Sequence, residues 1–176
     1  MKIYIVGTVG SGKSTLSRKL GDRLNIPVYH LDEVVHQKDE STKTGNNKRA
    51  DDEIERIFQE ILKQNSFIIE DCLRERFIPA LHQVDKVVYI DLPMKVLKYR
   101  VLKRFLKQKL RIEKSAYRPS LQFLKLMFIW LKESPHEKVK DLPNLVVLKN
   151  KKAVNRFLTE MKEDYDEKLL GSDLSQ

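Results

Sequence analysis

Apolar residues recur along this chain in two rhythms. Short, nearly unbroken runs stand at 2–6, 28–31, 67–69, 87–90 and 145–148, rich in Ile, Val, Leu, Tyr and Phe. Runs of that length and composition are what strands covered on both faces look like. Between them apolar residues fall at helical spacing. Leu16, Leu20 and Leu24 predict a helix over 13–25. Ile54, Ile57, Phe58, Ile61 and Leu62 stand at i, i+3, i+4, i+7 and i+8 of a one-faced helix that Asp51 or Asp52 is placed to cap. Leu97, Val101, Phe105 and Leu106 predict a long helix over about 95–110, residues 121–131 another, and Val154, Phe157, Leu158 and Met161 a last one. Pro27, Pro93 and Pro119 punctuate these elements. Residues 37–50 have no hydrophobic pattern and predict a mobile polar loop, and 171–176 a frayed tail. Strands alternating with helices predict an α/β protein, with a parallel sheet layered between helices.

Length and charge narrow the picture. The chain has 176 residues, the size of one domain, and 41% of them are hydrophobic. Lys and Arg number 34 against 25 Asp and Glu, a net +9. The excess is local: between Lys95 and Arg118 stand Lys95, Lys98, Arg100, Lys103, Arg104, Lys107, Lys109, Arg111, Lys114 and Arg118 against Glu113 alone. Such a stripe is either a solvated helix face or a site for phosphates. Cys72 is the one cysteine, so no internal disulfide forms, and it reads as a small packing residue. The apolar start ends at Val6, too short for a secretory signal, and no run approaches the ~20 apolar residues of a membrane span. The expectation is a cytoplasmic protein with no membrane partner, monomeric or homodimeric.

The strongest chemical signal follows the first strand. Gly7-Thr8-Val9-Gly10-Ser11-Gly12-Lys13-Ser14 fits G-x-x-x-x-G-K-[ST], with Thr15 next. Glycines let backbone N–H groups crowd around a polyphosphate, and the following helix turns its positive end toward it. ATP is the expected ligand: Lys13 would reach its β- and γ-phosphates and the Ser14 hydroxyl would ligate Mg²⁺. In a sheet of this kind, ligands sit outside the carboxyl ends of the strands. Polar residues cluster there: His30, Asp32 and Glu33 after the second strand, Glu70, Asp71, Arg74 and Arg76 after the third, Asp91 after the fourth.

The phosphate loop, His30-Leu31-Asp32 and Glu70-Asp71 together resemble the adenylate-kinase and shikimate-kinase branch of P-loop proteins. The blocks YHLDEVV from Tyr29, GNNKR from Gly45 and YRVLKRFLKQKL from Tyr99 resemble a bacterial group labelled DNA topology modulation protein (FlaR-related). The resemblance implies a three-layer α/β/α fold, five parallel strands in the order 2-3-1-4-5, and a helical lid over about 100–140. It implies that Asp32 accepts or orients a substrate hydroxyl, with Glu33 and Arg74 on the acceptor side. It also implies that Glu70 supports the metal with Ser14, that Arg100 and Arg104 clamp the transferring phosphoryl group, and that Asn150, beside Lys149, selects the base. The sequence departs from adenylate kinases in carrying Glu70-Asp71-Cys72-Leu73-Arg74 where they carry Asp-Gly-Phe-Pro-Arg. On a helix, Arg100, Arg104, Lys107 and Arg111 would form one face. Three readings follow: a Mg²⁺-ATP phosphotransferase with a small-molecule or nucleotide acceptor; a nucleotide-responsive nucleic-acid binder using the 95–118 stripe, with ATPase activity; and an ATP-binding scaffold without turnover.

Overall fold

The computed structural model describes residues 1–39, 41–42, 45–113 and 119–173. Five strands form one parallel sheet: β1 (Lys2–Gly7), β2 (Val28–His30), β5 (Phe67–Asp71), β6 (Lys86–Ile90) and β7 (Leu145–Leu148). Their order is β2-β5-β1-β6-β7, which is 2-3-1-4-5 among the sheet's own strands, as expected. Helices α1 (Lys13–Leu24), α2 (Leu31–Val35), α3 (Asp51–Leu62), α4 (Met94–Lys109), α5 (Leu121–Trp130), α6 (His136–Val139) and α7 (Lys151–Asp173) cover its two faces. The period of two along β1 sorts the core. Tyr4 and Val6 pack with Ile54, Phe58 and Phe77 on the face under α3, and Ile3 and Ile5 pack with Leu16, Leu20 and Phe157 under α1 and α7.

Several elements differ from the expectation. Residues expected to be a structureless loop include a two-stranded hairpin, β3 (His36–Lys38) against β4 (Asn46–Lys48). Its strands are polar on both sides, so no apolar rhythm announces it. Backbone bonds such as Asp39 N–H to Gly45 O and Arg49 N–H to Val35 O hold it instead. Asp51 and Asp52 lie inside the first turn of α3, with Ala50 as the N-cap residue. They meet the positive helix end rather than cap it, and Asp51 accepts from Arg76 at 2.7 Å. A 3-10 helix over Glu75–His82 was not anticipated, because Pro79 masks the spacing of Phe77, Ala80 and Leu81. In α4, Leu106 is half-exposed, and Gln108 joins Leu97, Val101 and Phe105 on the buried side. The helix ends at Lys109, and Arg111 has a left-handed backbone, so the basic face expected to include Arg111 stops at Lys107. Helix α7 continues through 171–173 where fraying was expected. Lys114, Arg118 and 174–176 lie outside the described residues.

One close approach ties α1 to β2. A Cβ on Gly21 would lie 2.3 Å from Val28 Cγ2 and 2.9 Å from Ile26 O. Alanine normally improves a helix by about 0.5–1 kcal/mol over glycine. Here the clash outweighs that gain, and Gly21→Ala is expected to destabilise the protein by roughly 1–3 kcal/mol. A denaturant titration showing equal or higher stability would refute the contact.

Candidate active site

Strand β1 delivers the chain to the loop at Gly7, and α1 takes over at Lys13. Gly10 (φ 76°) and Gly12 (φ 97°) hold left-handed conformations that side chains disfavour. The loop closes on itself through Ser11 N–H to Thr8 O, and Gly12 O accepts from Thr15 and Leu16 N–H. No acidic residue stands in the first turn of α1, so its positive end is unscreened. The Lys13 and Ser14 amides have no partner within the helix. Thr8 and Ser11 are buried, and Ser11 Oγ is buried without a hydrogen bond. Val9 packs on the core, and Thr15 is exposed.

Parallel pairing sets the acids beside this loop. The register Ile5–Glu70 and Val6–Asp71 carries both carboxylates to the end of β1, and His30–Glu70 brings β2 alongside. Glu70 Oε1 accepts from the Ser14 hydroxyl and meets His30 Nδ1, each at 2.8 Å. Lys13 Nζ lies 4.0 Å from Oε2, which is buried without a hydrogen bond. Burial works to raise the Glu70 carboxyl, yet the His30 hydrogen bond, the Lys13 charge and the Ser14 hydroxyl hold it below its ordinary value. The Glu70 hydrogen bond raises His30, against the opposing pull of burial.

These shifts fix a pH signature. A raised His30 stabilises the fold fully below its unfolded value of 6.5, a contribution lost as pH rises through the folded value. A lowered Glu70 contributes fully above its unfolded 4.5 and loses that contribution as pH falls through the folded value. The pair therefore contributes most between pH 4.5 and 6.5. The stability gap between wild type and His30→Asn, in nucleotide-free protein, is expected to be widest there and to narrow toward pH 9. A gap independent of pH would refute the ion pair.

The acceptor side is a chain of charges. Arg74 Nη2 donates to Asp32 Oδ1 at 2.5 Å, Arg74 Nη1 to Asp71 Oδ1, and the Arg74 backbone N–H to Asp71 Oδ2 at 2.7 Å. Burial opposes the Arg74 charge, and the two carboxylates more than offset it. Leu73, buried at a φ of 74°, reverses the chain so that Arg74 folds back on Asp71. That left-handed leucine costs roughly 1–2 kcal/mol and marks a turn fixed by its surroundings. Asp32 is exposed, with His36 Nδ1 at 3.6 Å, and Glu33 is exposed beside it. Sequence reasoning named Asp71 as a strand-end acid but missed its pairing with Arg74 and the Leu73 turn that makes it, neither of which has a local signal.

The arginines of α4 separate. Arg100 Nη1 donates to Ser11 O at 2.9 Å, over the loop, whereas Arg104 Nη2 points to Met127 Sδ of α5 at 3.3 Å. Lys95, Lys98, Lys103, Lys107 and Lys109 remain exposed, so the stripe is not one face. Lys149 lines a cleft of about 430 Å³ with Thr8, Asp91, Leu92 and Ser134. Asn150 is exposed, and its Oδ1 accepts from Ala153 N–H at 2.8 Å, capping α7. Cys72 is exposed rather than packed. Among the described residues no helix is long and apolar enough to cross a membrane, and no group of three or more His, Cys, Asp or Glu could hold a metal.

The sheet order, loop and strand-end acids define a kinase-like P-loop fold. Residues 3–117, well over half of the chain, match the family described as AAA domain, and the chain belongs to that family. A Methanocaldococcus jannaschii protein named "Putative adenylate kinase" is 29% identical over 126 residues, 68% of this chain and 61% of that protein. The shikimate kinase of Aquifex aeolicus is 46% identical over 39 residues, 22% of this chain and 23% of that enzyme. Both matches thus span less than two thirds of the relatives' own length. Among solved structures, shikimate kinase from Bacteroides thetaiotaomicron superposes with a TM-score of 0.57 at 17% identity, covering 94% of this chain and 98% of that one. A sugar kinase from Janibacter sp. gives 0.56 at 17%, covering 90% and 92%. At such identity these structures show the fold alone.

Proposed function

We propose that the chain is a Mg²⁺-dependent phosphotransferase that moves the γ-phosphoryl group of ATP to a hydroxyl of a small molecule. The observation that carries the reading is the convergence of Lys13, Ser14 and His30 on the buried Glu70, at the mouth of the glycine loop. Amides from Gly7 to Ser14, with Thr15, wrap the phosphates, and Lys13 bears on the β- and γ-groups. The buried Glu70 Oε2, which accepts no hydrogen bond, beside the Ser14 hydroxyl suits a hard cation that takes one or two protein oxygens and completes its shell with phosphate and water. When bound, Mg²⁺ supplies neutralisation of charge on the phosphates. The base rests in the cleft beside Thr8 and Lys149, with Asn150 serving that edge by capping α7.

Asp32 takes or orients the acceptor proton as the hydroxyl oxygen bonds to the γ-phosphorus. The bond to the bridging oxygen breaks and ADP leaves. Arg100, poised over the loop, meets the charge spread across the transferring group, with Arg104 behind it. Residues 1–176 act as one kinase-like unit, with about 100–140 as its lid. The likeness to topology-modulation proteins and a cytoplasmic location stay within this reading. Among the described residues, the nucleic-acid alternative draws on the exposed lysines of α4 and on exposed Arg111, because Arg100 and Arg104 are turned inward.

The reading is tested by following ADP release with Mg²⁺-ATP across sugars, nucleosides, nucleotides and hydroxy acids. One acceptor is expected to raise turnover well above the acceptor-free rate. Failure of a non-hydrolysable ATP analogue to bind at millimolar concentration would overturn it.

A further inference from the structure

We infer that the acceptor carries no anionic group, and that Arg74 aims Asp32 instead of binding a substrate carboxylate or phosphate. This rests on the phosphotransferase reading. Both arms of the guanidinium are already used, Nη1 on Asp71 and Nη2 on Asp32. Asp71 is a fixed partner: its side chain has no exposed surface, its strand is paired with β1, and the Leu73 turn returns the Arg74 amide to it. Pulling Arg74 away would strand a buried carboxylate, which is costly. Nearby, Arg76 and Lys48 are paired with Asp51, and Arg49 with Glu53.

What remains is acidic. Asp32, Asp71 and Arg74 sum to −1, and exposed Glu33 adds another negative charge. An anionic acceptor would have to displace Asp32 from Arg74 and then sit beside Glu33, a like-charge arrangement that selects against it. An uncharged polyhydroxy compound meets no such barrier. Arg74 pins Asp32 Oδ1 and leaves Oδ2 with no hydrogen bond among the described residues, open to a hydroxyl proton.

The experiment is a titration with inorganic phosphate, read by NMR at the Arg74 side-chain Nε–H, on protein whose loop is first filled with Mg²⁺ and the ATP analogue. Wild type is expected to show no saturable shift up to about 10 mM, and Asp32→Asn to bind at least about tenfold more tightly, because one carboxylate competitor is gone. A saturable wild-type shift in that range, or no gain in Asp32→Asn, overturns the inference. If the analogue fails to bind, the phosphotransferase reading falls, and the phosphate titration still reports whether Arg74 is available. In turnover, an uncharged acceptor is expected to exceed its phosphorylated or carboxylated counterpart at least about tenfold in kcat/KM. Arg74→Ala is expected to lower kcat by about tenfold or more with acceptor KM nearly unchanged, as for a positioning residue. The opposite preference, or a KM effect with kcat preserved, overturns it.

Discussion

Lys13→Ala is expected to cut phosphoryl transfer by about three orders of magnitude or more, a loss of roughly 4 kcal/mol of transition-state stabilisation. The reason lies in where the ammonium stands. Lys13 opens α1, its side chain is 17% exposed, and Nζ is 4.0 Å from Glu70 Oε2, too far for a hydrogen bond. It is thus held near the buried carboxylate without being consumed by it, and is free to move onto phosphate oxygens. For the same reason the fold does not depend on it. Glu70 keeps Ser14 and His30 at 2.8 Å, and no helical hydrogen bond involves the lysine side chain. The thermal midpoint of Lys13→Ala should therefore stay within a few degrees of wild type, while calorimetry shows ATP affinity sharply reduced. Wild-type turnover in that variant would end the assignment of the loop. A collapsed fold would show instead that the lysine holds Glu70 in place.

What was legible in the sequence was whatever local chemistry fixes. The glycine loop could be read because its function demands one backbone shape, and the structure gives Gly10 and Gly12 left-handed angles there. The sheet strands were legible as unbroken apolar runs, since both faces of each are covered. The hairpin of His36–Lys38 and Asn46–Lys48 was not, because backbone bonds between polar strands leave no rhythm. Contacts across long sequence distances were equally silent. The resemblance to P-loop kinases implies an acceptor-side place for Asp32 and for Arg74, each by itself. Their bond to one another spans 42 positions and depends on the left-handed turn at Leu73, which no propensity favours in a leucine. His30 stands out in the sequence only by its place after the second strand. Only the β2–β5 register shows it holding the carboxylate beside Ser14. Asn150 was the reverse case: an asparagine three residues ahead of an amide in a following helix is a capping signal, and the structure shows that bond to Ala153.

Arg100 and Arg104 are one turn apart on α4, yet their substitutions are expected to differ. Arg100→Ala should lower kcat by about two to three orders of magnitude with the KM for ATP changed only a few-fold, as for a donor that meets charge in the transition state. The helix holds Arg100 above the loop through Val101, which is fully buried. A Cβ placed on Gly12 would come within 3.4 Å of Arg100 Nη1, so guanidinium and loop backbone are already in contact. In the nucleotide-free protein that contact is with the Ser11 carbonyl, a neutral acceptor that a phosphate oxygen can outcompete, because charged hydrogen bonds are roughly twice as strong. Lysine supplies charge without the fork, so Arg100→Lys should recover only part of the loss. Arg104 points away, to Met127, with Nε buried and unpartnered, and Arg104→Ala should reduce turnover less than Arg100→Ala does. Equal losses would mean that α4 rotates as the site closes and brings both arginines over the phosphates. A fall in ATP affinity at unchanged kcat for Arg100→Ala would reduce its role to shaping the loop.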